Sequence, residues 1–210
     1  MAEAKASLIV ADLRGLIREG LAALCERSGK FDIAAVCADG AEAFRQVCLL
    51  KPDLCVLSID LPELHPFELM TRAREAGVRT RFGLLAPRQD RKTVLEALRA
   101  GSSGFLLEDG PVGDILEGLE QMARGGIYFS PAVDADRIFG AGAQSGDPLE
   151  RLSTREYQVF SLLVQGVRAK EIANRLNLSP KTIDSHRKNL MQKLDIHDVA
   201  GLVRFSMSRQ

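Results

Sequence analysis

The chain has no tryptophan, two tyrosines and three histidines in 210 residues, and aromatic residues make up 5% of it. Its four cysteines, Cys25, Cys37, Cys48 and Cys55, are scattered through hydrophobic segments without CxxC spacing. That pattern argues for buried reduced thiols rather than disulfides or a thiolate metal site. No Cys or second His stands at zinc spacing from His186, so no metal is expected there. No apolar run approaches the roughly 20 residues needed to cross a bilayer. The opening stretch MAEAKASLIVAD lacks the apolar core and cleavage site of a signal peptide. The expected location is cytoplasmic, with no membrane partner.

A hydrophobic content of 46% is ample for packed cores, and the length suits one or two domains. The formal net charge of zero hides an asymmetry. Residues 148–210 hold eleven Lys and Arg against six Asp and Glu, and the remainder holds seventeen against twenty-two. A basic tail on an acidic front favours a polyanionic partner for the tail alone.

In the front, short apolar runs recur at Leu8–Ala11, Ile33–Cys37, Leu54–Leu57, Phe82–Leu85 and Gly104–Leu107. Segments of helical period separate them. One places Leu16, Ile17, Leu21 and Leu24 on a stripe, and another Ile115, Leu116, Leu119 and Met122. Five strands alternating with about five helices predict a doubly wound five-stranded parallel sheet of α/β class. Ligands of such sheets bind at the carboxyl ends of the strands. Residues 130–151 break the pattern, and Gly, Ala, Ser and Pro dominate their second half. The domains are expected at 1–129 and 149–210, with a linker over 130–148 and a boundary near Gly140–Pro148.

The back reads as four helices. Ser153 and Glu156 are spaced as a capping box, and Gly166 supplies a C-terminal stop. Tyr157, Phe160, Leu163 and Val164 give the first helix an inner stripe, and Ile172, Ala173 and Leu176 do so for the second. Asn177 and Leu178 form the turn between the second and third helices. Ser179 caps the third helix and Pro180 sits at its first position. Ile183, Leu190 and Leu194 face inward, leaving Asp184, Ser185 and Lys188 on the outer side. This is the layout of a helix-turn-helix that reads the major groove of double-stranded DNA. Asp184, Ser185 and Lys188 are the candidate base contacts; Lys188 suits guanine O6 or N7, and Asp184 suits cytosine N4. Lys170, Lys181, Thr182, His186 and Arg187 are the candidate phosphate contacts. A fourth helix, Asp198–Met207, turns Val199, Leu202, Val203 and Ser206 inward and leaves Ala200 and Phe205 to pair two subunits.

Taken together, LSTRE, GVRAKEIANRL and SPKTIDSHRKNLMQKL at the back, and LIVADLRGLIREGL, KPDLCVLSIDLP and ALRAGSSGFLLED at the front, resemble a response regulator of the NarL/FixJ class. The resemblance implies a flavodoxin-like receiver domain joined to an all-α LuxR-type helix-turn-helix domain. Receivers of that class take phosphate on an aspartate at the end of the third strand, with an acid pair holding Mg²⁺ and a Ser/Thr and a Lys facing the phosphoryl group. Carried over by motif, Asp12 falls at the first acid, Leu13 at the second, Ser58 at the phosphoacceptor, Ala86 at the Ser/Thr and Glu108 at the Lys. Phe105 falls at the class's aromatic switch position, where a packing role is expected.

Leu13 offers Mg²⁺ no oxygen, Ser58 has no adjacent base, and Glu108 repels the phosphoryl group a Lys would attract. The expectation is a degenerate receiver: no phosphoacceptor, no metal, no cofactor and no enzymatic activity. Control would pass to homodimerisation, through the fourth and fifth helices (Arg91–Ala100 and Val112–Arg124), or to a protein partner or small-molecule ligand at the front domain. Two alternatives stand beside it. Asp60 could accept phosphate in a shifted register, which would place Pro62 too early. Asp12, Asp60 and Glu108 could also gather into a different metal site; against that, they read as solvated acids with Arg14 as partner.

Overall fold

The computed structural model describes residues 5–88, 91–131, 148–176 and 178–207. The chain divides into two compact units, Met1–Val133 and Asp134–Gln210. The boundary expected near Gly140–Pro148 and the turn residue Asn177 lie mostly outside the described residues.

The first unit alternates strand and helix in chain order: β1 (Ala6–Ala11), α1 (Gly15–Arg27), β2 (Phe31–Cys37), α2 (Gly40–Leu50), β3 (Leu54–Ser58), α3 (Pro66–Glu75), β4 (Arg81–Ala86), α4 (Arg91–Arg99), β5 (Gly104–Leu107), α5 (Val112–Ala123) and β6 (Tyr128–Phe129). All strand pairs are parallel, and the sheet runs β2-β1-β3-β4-β5-β6. The order reverses between β1 and β3, which opens a crevice at their carboxyl ends. A parallel sheet covered on both faces demands near-continuous apolar strands. Accordingly every residue of β3 and β5 is buried. Leu8, Val10, Leu54, Val56, Leu106, Leu119 and Met122 form the central cluster under α1 and α5. Each such side chain contributes about 1.5–3 kcal/mol by leaving water.

The sheet has six strands, not the five expected. β6 is two residues long, too short to show a period of two. Its seat is legible only in three dimensions. A Cβ on Gly104 would meet Met122 Sδ at 2.4 Å and the Tyr128 carbonyl oxygen at 2.9 Å, and one on Gly118 would meet the Tyr128 ring at 2.5 Å. Glycine at both positions lets Tyr128 pass between α5 and β5. The Ser130 hydroxyl accepts from the Leu107 amide at 3.1 Å, continuing the pairing beyond the strand.

Other expectations also shift. Leu16, placed on the inner stripe of α1, is 89% exposed, while Leu21 and Cys25 carry the packing. All four cysteines are free and three are buried, but Cys48 is half-buried. Burial raises the Cys25 thiol to about 12 and the Cys37 thiol to about 11, so both are inert at neutral pH. Phe105 is fully buried in β5 as a packing residue. Among the described residues, no helix is long and apolar enough to cross a membrane.

The second unit begins with a 3₁₀ turn, Pro148–Arg151, followed by α6 (Thr154–Val164), α7 (Ala169–Arg175), α8 (Pro180–Leu194) and α9 (Val199–Met207). Ser153 and Glu156 form the expected capping box at the start of α6. Gly166, at φ 80°, ends α6 in the left-handed region that a Cβ disfavours. Val159, Phe160, Leu162, Ile172, Ile183, Leu190 and Leu202 are buried in the core between the helices. Val164 and Val203 are only half-buried, and Val199 is exposed. Phe205, expected on an outward apolar side, is half-buried, and its ring meets Phe160 edge-on at 6.2 Å between centroids.

Candidate functional site

Two groups of residues have the composition of a site, one in each unit. In the first unit, the chain turns sharply after β1, and the Asp12 side chain closes that turn by accepting the Arg14 amide at 2.7 Å. Asp12 is 1% exposed, so its carboxylate is buried rather than solvated as expected from sequence. The Arg14 side chain folds back over it. Nε and Nη2 donate to the two Asp12 oxygens at 3.0 and 2.8 Å, while Nη1 donates to Glu108 Oε2 at 2.6 Å and Nη2 to Glu108 Oε1. Arg14 Nη2 also lies 3.4 Å from the Ser58 hydroxyl. Arg18 adds a hydrogen bond from Nη1 to the Asp12 carbonyl at 2.8 Å.

One guanidinium is thus held by two carboxylates across the carboxyl ends of β1 and β5. Five donors in a planar fork make this double bidentate grip possible, and a lysine could not reproduce it. Hydrogen bonds that Arg14 donates to Asp12 and then to Glu108 raise its pKa further above its already high value, so the cation is permanent.

The remaining positions fit the same picture. Ser58 ends β3, is 1% exposed, and its hydroxyl accepts from the Asp60 amide at 3.3 Å. Ala86 ends β4 fully buried, with no hydroxyl to offer, and Glu108 follows β5 with its amide bonded to the Ala86 carbonyl. Leu13 turns outward, 51% exposed. Asp60 lies past the strand end and is exposed. Among the described residues no three acidic, His or Cys side chains gather as metal ligands, so the Asp12–Asp60–Glu108 grouping does not form. What the sequence understated is Arg14. Its signal was its place two residues after a strand-end acid, together with an acid at Glu108.

In the second unit, α8 presents an exposed polar strip. Its N-cap, Ser179, accepts the Thr182 amide at 3.1 Å, and Pro180 fits the first turn. Asp184, Ser185, Lys188 and Lys181 are exposed, as is Lys170 on α7; Thr182, His186 and Arg187 are half-buried. Four of these side chains are already engaged. The Thr182 hydroxyl pairs with Ser179 Oγ at 2.7 Å, the Ser185 hydroxyl donates to the Lys181 carbonyl at 3.1 Å, and Arg187 Nη2 lies 3.5 Å from Asp184 Oδ1.

The strip is held in place from behind. Lys193, near the end of α8, donates to the buried Glu156 carboxylate at 2.7 Å, and Glu156 also accepts the Ser153 amide at 2.7 Å. Burial pushes the Glu156 pKa up, but Lys193 and Ser153 together outweigh it, and the net shift is downward. The sequence reading assigned Glu156 only to the cap. Its second partner, 37 residues on, left no local signal.

The family described as "Response regulator receiver domain" matches residues 8–120, and "Bacterial regulatory proteins, luxR family" matches residues 150–206. The transcriptional regulatory protein MctR of Rhizobium johnstonii is 30% identical over 207 residues, covering 97% of this chain and 94% of the relative. The oxygen regulatory protein NreC of Staphylococcus carnosus is 26% identical over 211 residues, covering 97% of both chains. Among solved structures, the receiver domain of NarL from Mycobacterium tuberculosis is similar with a TM-score of 0.57 at 27% identity, covering 59% of this chain and 99% of that one.

Proposed function

Because this chain belongs to the response regulators that carry a LuxR-type DNA-binding domain, we propose that it regulates transcription without aspartyl phosphorylation. The observation that carries the reading is Arg14, whose guanidinium occupies the strand-end crevice between Asp12 and Glu108. A phosphorylatable crevice needs a carboxylate nucleophile, a divalent cation and a positive group to balance developing charge. Here Ser58 stands in place of the nucleophile. Leu13 points into solvent, and the carboxylates that could draw a cation are already satisfied by an internal one.

In the second unit, the proposal assigns α7 and α8 as a helix-turn-helix, with α8 in the major groove. Asp184, Ser185 and Lys188 face base edges, while Lys170, Lys181, Thr182, His186 and Arg187 serve the phosphates. Control falls to dimerisation rather than to chemistry. The apolar side chains of α4 turn inward, whereas Leu16 and Val112 are exposed around a 210 Å³ groove between α1 and α5. That arrangement supports α1 and α5, rather than α4 and α5, as the face that pairs two copies.

The test is a promoter-fragment titration of the full chain with and without beryllofluoride and Mg²⁺. The expected result is no labelling and no change in affinity beyond about twofold, or ~0.4 kcal/mol. Tighter binding with beryllofluoride would overturn the proposal and restore Asp60 as acceptor.

A further inference from the structure

An acid in the middle of a DNA-reading surface needs an explanation. Asp184 is exposed on α8 with Lys181 and Lys188 on the same side. Its Oδ1 faces Arg187 Nη2 at 3.5 Å, an i,i+3 pair with side chains 60% and 42% exposed. Asp184, Arg187 and Lys188 line one open cleft of about 630 Å³ that runs along α8 past Met191 and Gln192. An exposed pair at that distance adds little to stability. Beside a polyanion its effect is larger, because Asp184 is repelled by the phosphates and occupies a cation that would otherwise neutralise one of them.

We propose that Asp184 and Arg187 act as a coupled specificity device, in which Asp184 withholds Arg187 from the DNA backbone until it meets cytosine N4. This rests on the reading of α8 as the major-groove helix. Among major-groove atoms, only the amino groups of cytosine and adenine donate. Adenine sets its N7 acceptor beside the amino group, so a two-oxygen carboxylate meets a donor and a repulsive lone pair together; cytosine presents the donor alone. Over guanine or thymine, the carboxylate faces acceptors and keeps Arg187. Over cytosine, Asp184 accepts from N4, and Arg187 exchanges a loose 3.5 Å partner for a phosphate. Base recognition and one phosphate contact are thereby gained or lost together.

The experiment uses the full chain, a duplex selected by the wild-type protein from a randomised pool, and a scrambled duplex of equal composition, with affinity measured against salt. Each neutralised phosphate adds about 0.9 to the slope of log affinity against log salt. The wild-type slope should therefore be steeper on the selected duplex by about 0.9 per bound subunit. Asp184→Ala frees Arg187 on every sequence. Its slope on scrambled DNA should rise by about the same amount, with tighter scrambled binding and poorer discrimination. Arg187→Ala should lower the slope on the selected duplex alone. An unchanged scrambled slope in Asp184→Ala, or equal wild-type slopes on the two duplexes, would overturn the coupling while leaving DNA binding intact. If the wild type enriches no sequence from the pool, the major-groove reading falls, and the coupling falls with it. Neither side chain is buried, and unchanged circular dichroism of the variants will separate loss of coupling from loss of fold.

Discussion

Replacing Arg14 by alanine should destabilise the first unit by about 2–4 kcal/mol, the range for stripping the partner from a buried charge, lowered somewhat because water reaches the guanidinium. The estimate follows from the geometry. Asp12 is 1% exposed and receives two of its hydrogen bonds from the Arg14 side chain; Glu108, 13% exposed, receives two more. Alanine removes all four and leaves two carboxylates facing one crevice. At roughly 4 kcal/mol per pair at 4 Å in an effective dielectric of about 20, their repulsion is comparable with the attraction lost. Calorimetry of the full chain should show one transition lowered by roughly 6–16 °C and the other unmoved, using about 3–4 °C per kcal/mol for a unit of this size. Adding Mg²⁺ to about 10 mM should return part of the loss, about 1.4 kcal/mol for a site of ~1 mM affinity, because the vacated crevice then offers two unpaired carboxylates. Mg²⁺ should leave the wild type unaffected. A loss under about 1 kcal/mol, the range of an ordinary exposed pair, would show that Arg14 is a surface residue and not the internal cation of the crevice.

The other predictions concern the second unit and the face between copies. Lys188→Ala should weaken binding to a selected duplex by about 1–3 kcal/mol and relax preference at one position, whereas Lys181→Ala should weaken all duplexes about equally; parallel behaviour of the two on cognate and scrambled DNA would refute the base-reading assignment. Glu156→Gln should cost about 1–3 kcal/mol, since it breaks a buried charge-assisted contact to Lys193. Because the folded-state pKa of Glu156 lies below its ordinary value near 4.5, its contribution is full above that value and fades as pH falls through the folded value. The stability of the second unit should therefore drop less steeply below about pH 4.5 in Glu156→Gln, and identical acid profiles would show that the Lys193 pair does not matter. Leu16→Asp, at an 89% exposed position, should leave thermal stability within about 0.5 kcal/mol while shifting sedimentation toward monomer; a wild type that is already monomeric would remove α1 and α5 as the pairing face.

The reach of the sequence reading follows from the range of the forces involved. The strands, the caps at Ser153 and Ser179 and the outward placement of Asp184 and Lys188 were legible because each is set by periodicity or by neighbours within about four residues. What was missed is set at a distance. Strand β6 exists because Gly104 and Gly118 clear a path for Tyr128. The Phe205 ring meets Phe160, 45 residues earlier. Glu156 is held by Lys193 rather than by its cap alone. The Leu16 error has a different origin. The helical stripe identifies residues that share a face, but it does not say how far along the helix its neighbours extend, and at the first turn of α1 nothing covers that face.

The crevice shows why substitutions in a site are better weighed jointly than singly. On the proposed reading, Leu13, Ser58, Ala86 and Glu108 taken one at a time would each remove a function, and the sum would read as decay. Glu108 facing Asp12 would then leave one buried and one half-buried acid at the carboxyl ends of β1 and β5, an arrangement that costs several kcal/mol if both are charged and unpaired. A cation between the two offsets that cost, and Arg14 supplies it: two residues past Asp12, it is near enough to fold back and long enough to span to β5. Glu108 and Arg14 are therefore parts of one arrangement, and on the proposed reading the fixed guanidinium stands where a dissociable ion would otherwise sit. An ion that cannot leave cannot report a signal. On the proposed reading the crevice ties the turn after β1 to the turn after β5, and variation in activity is expected to enter through the faces that Leu16 and α8 present to other molecules.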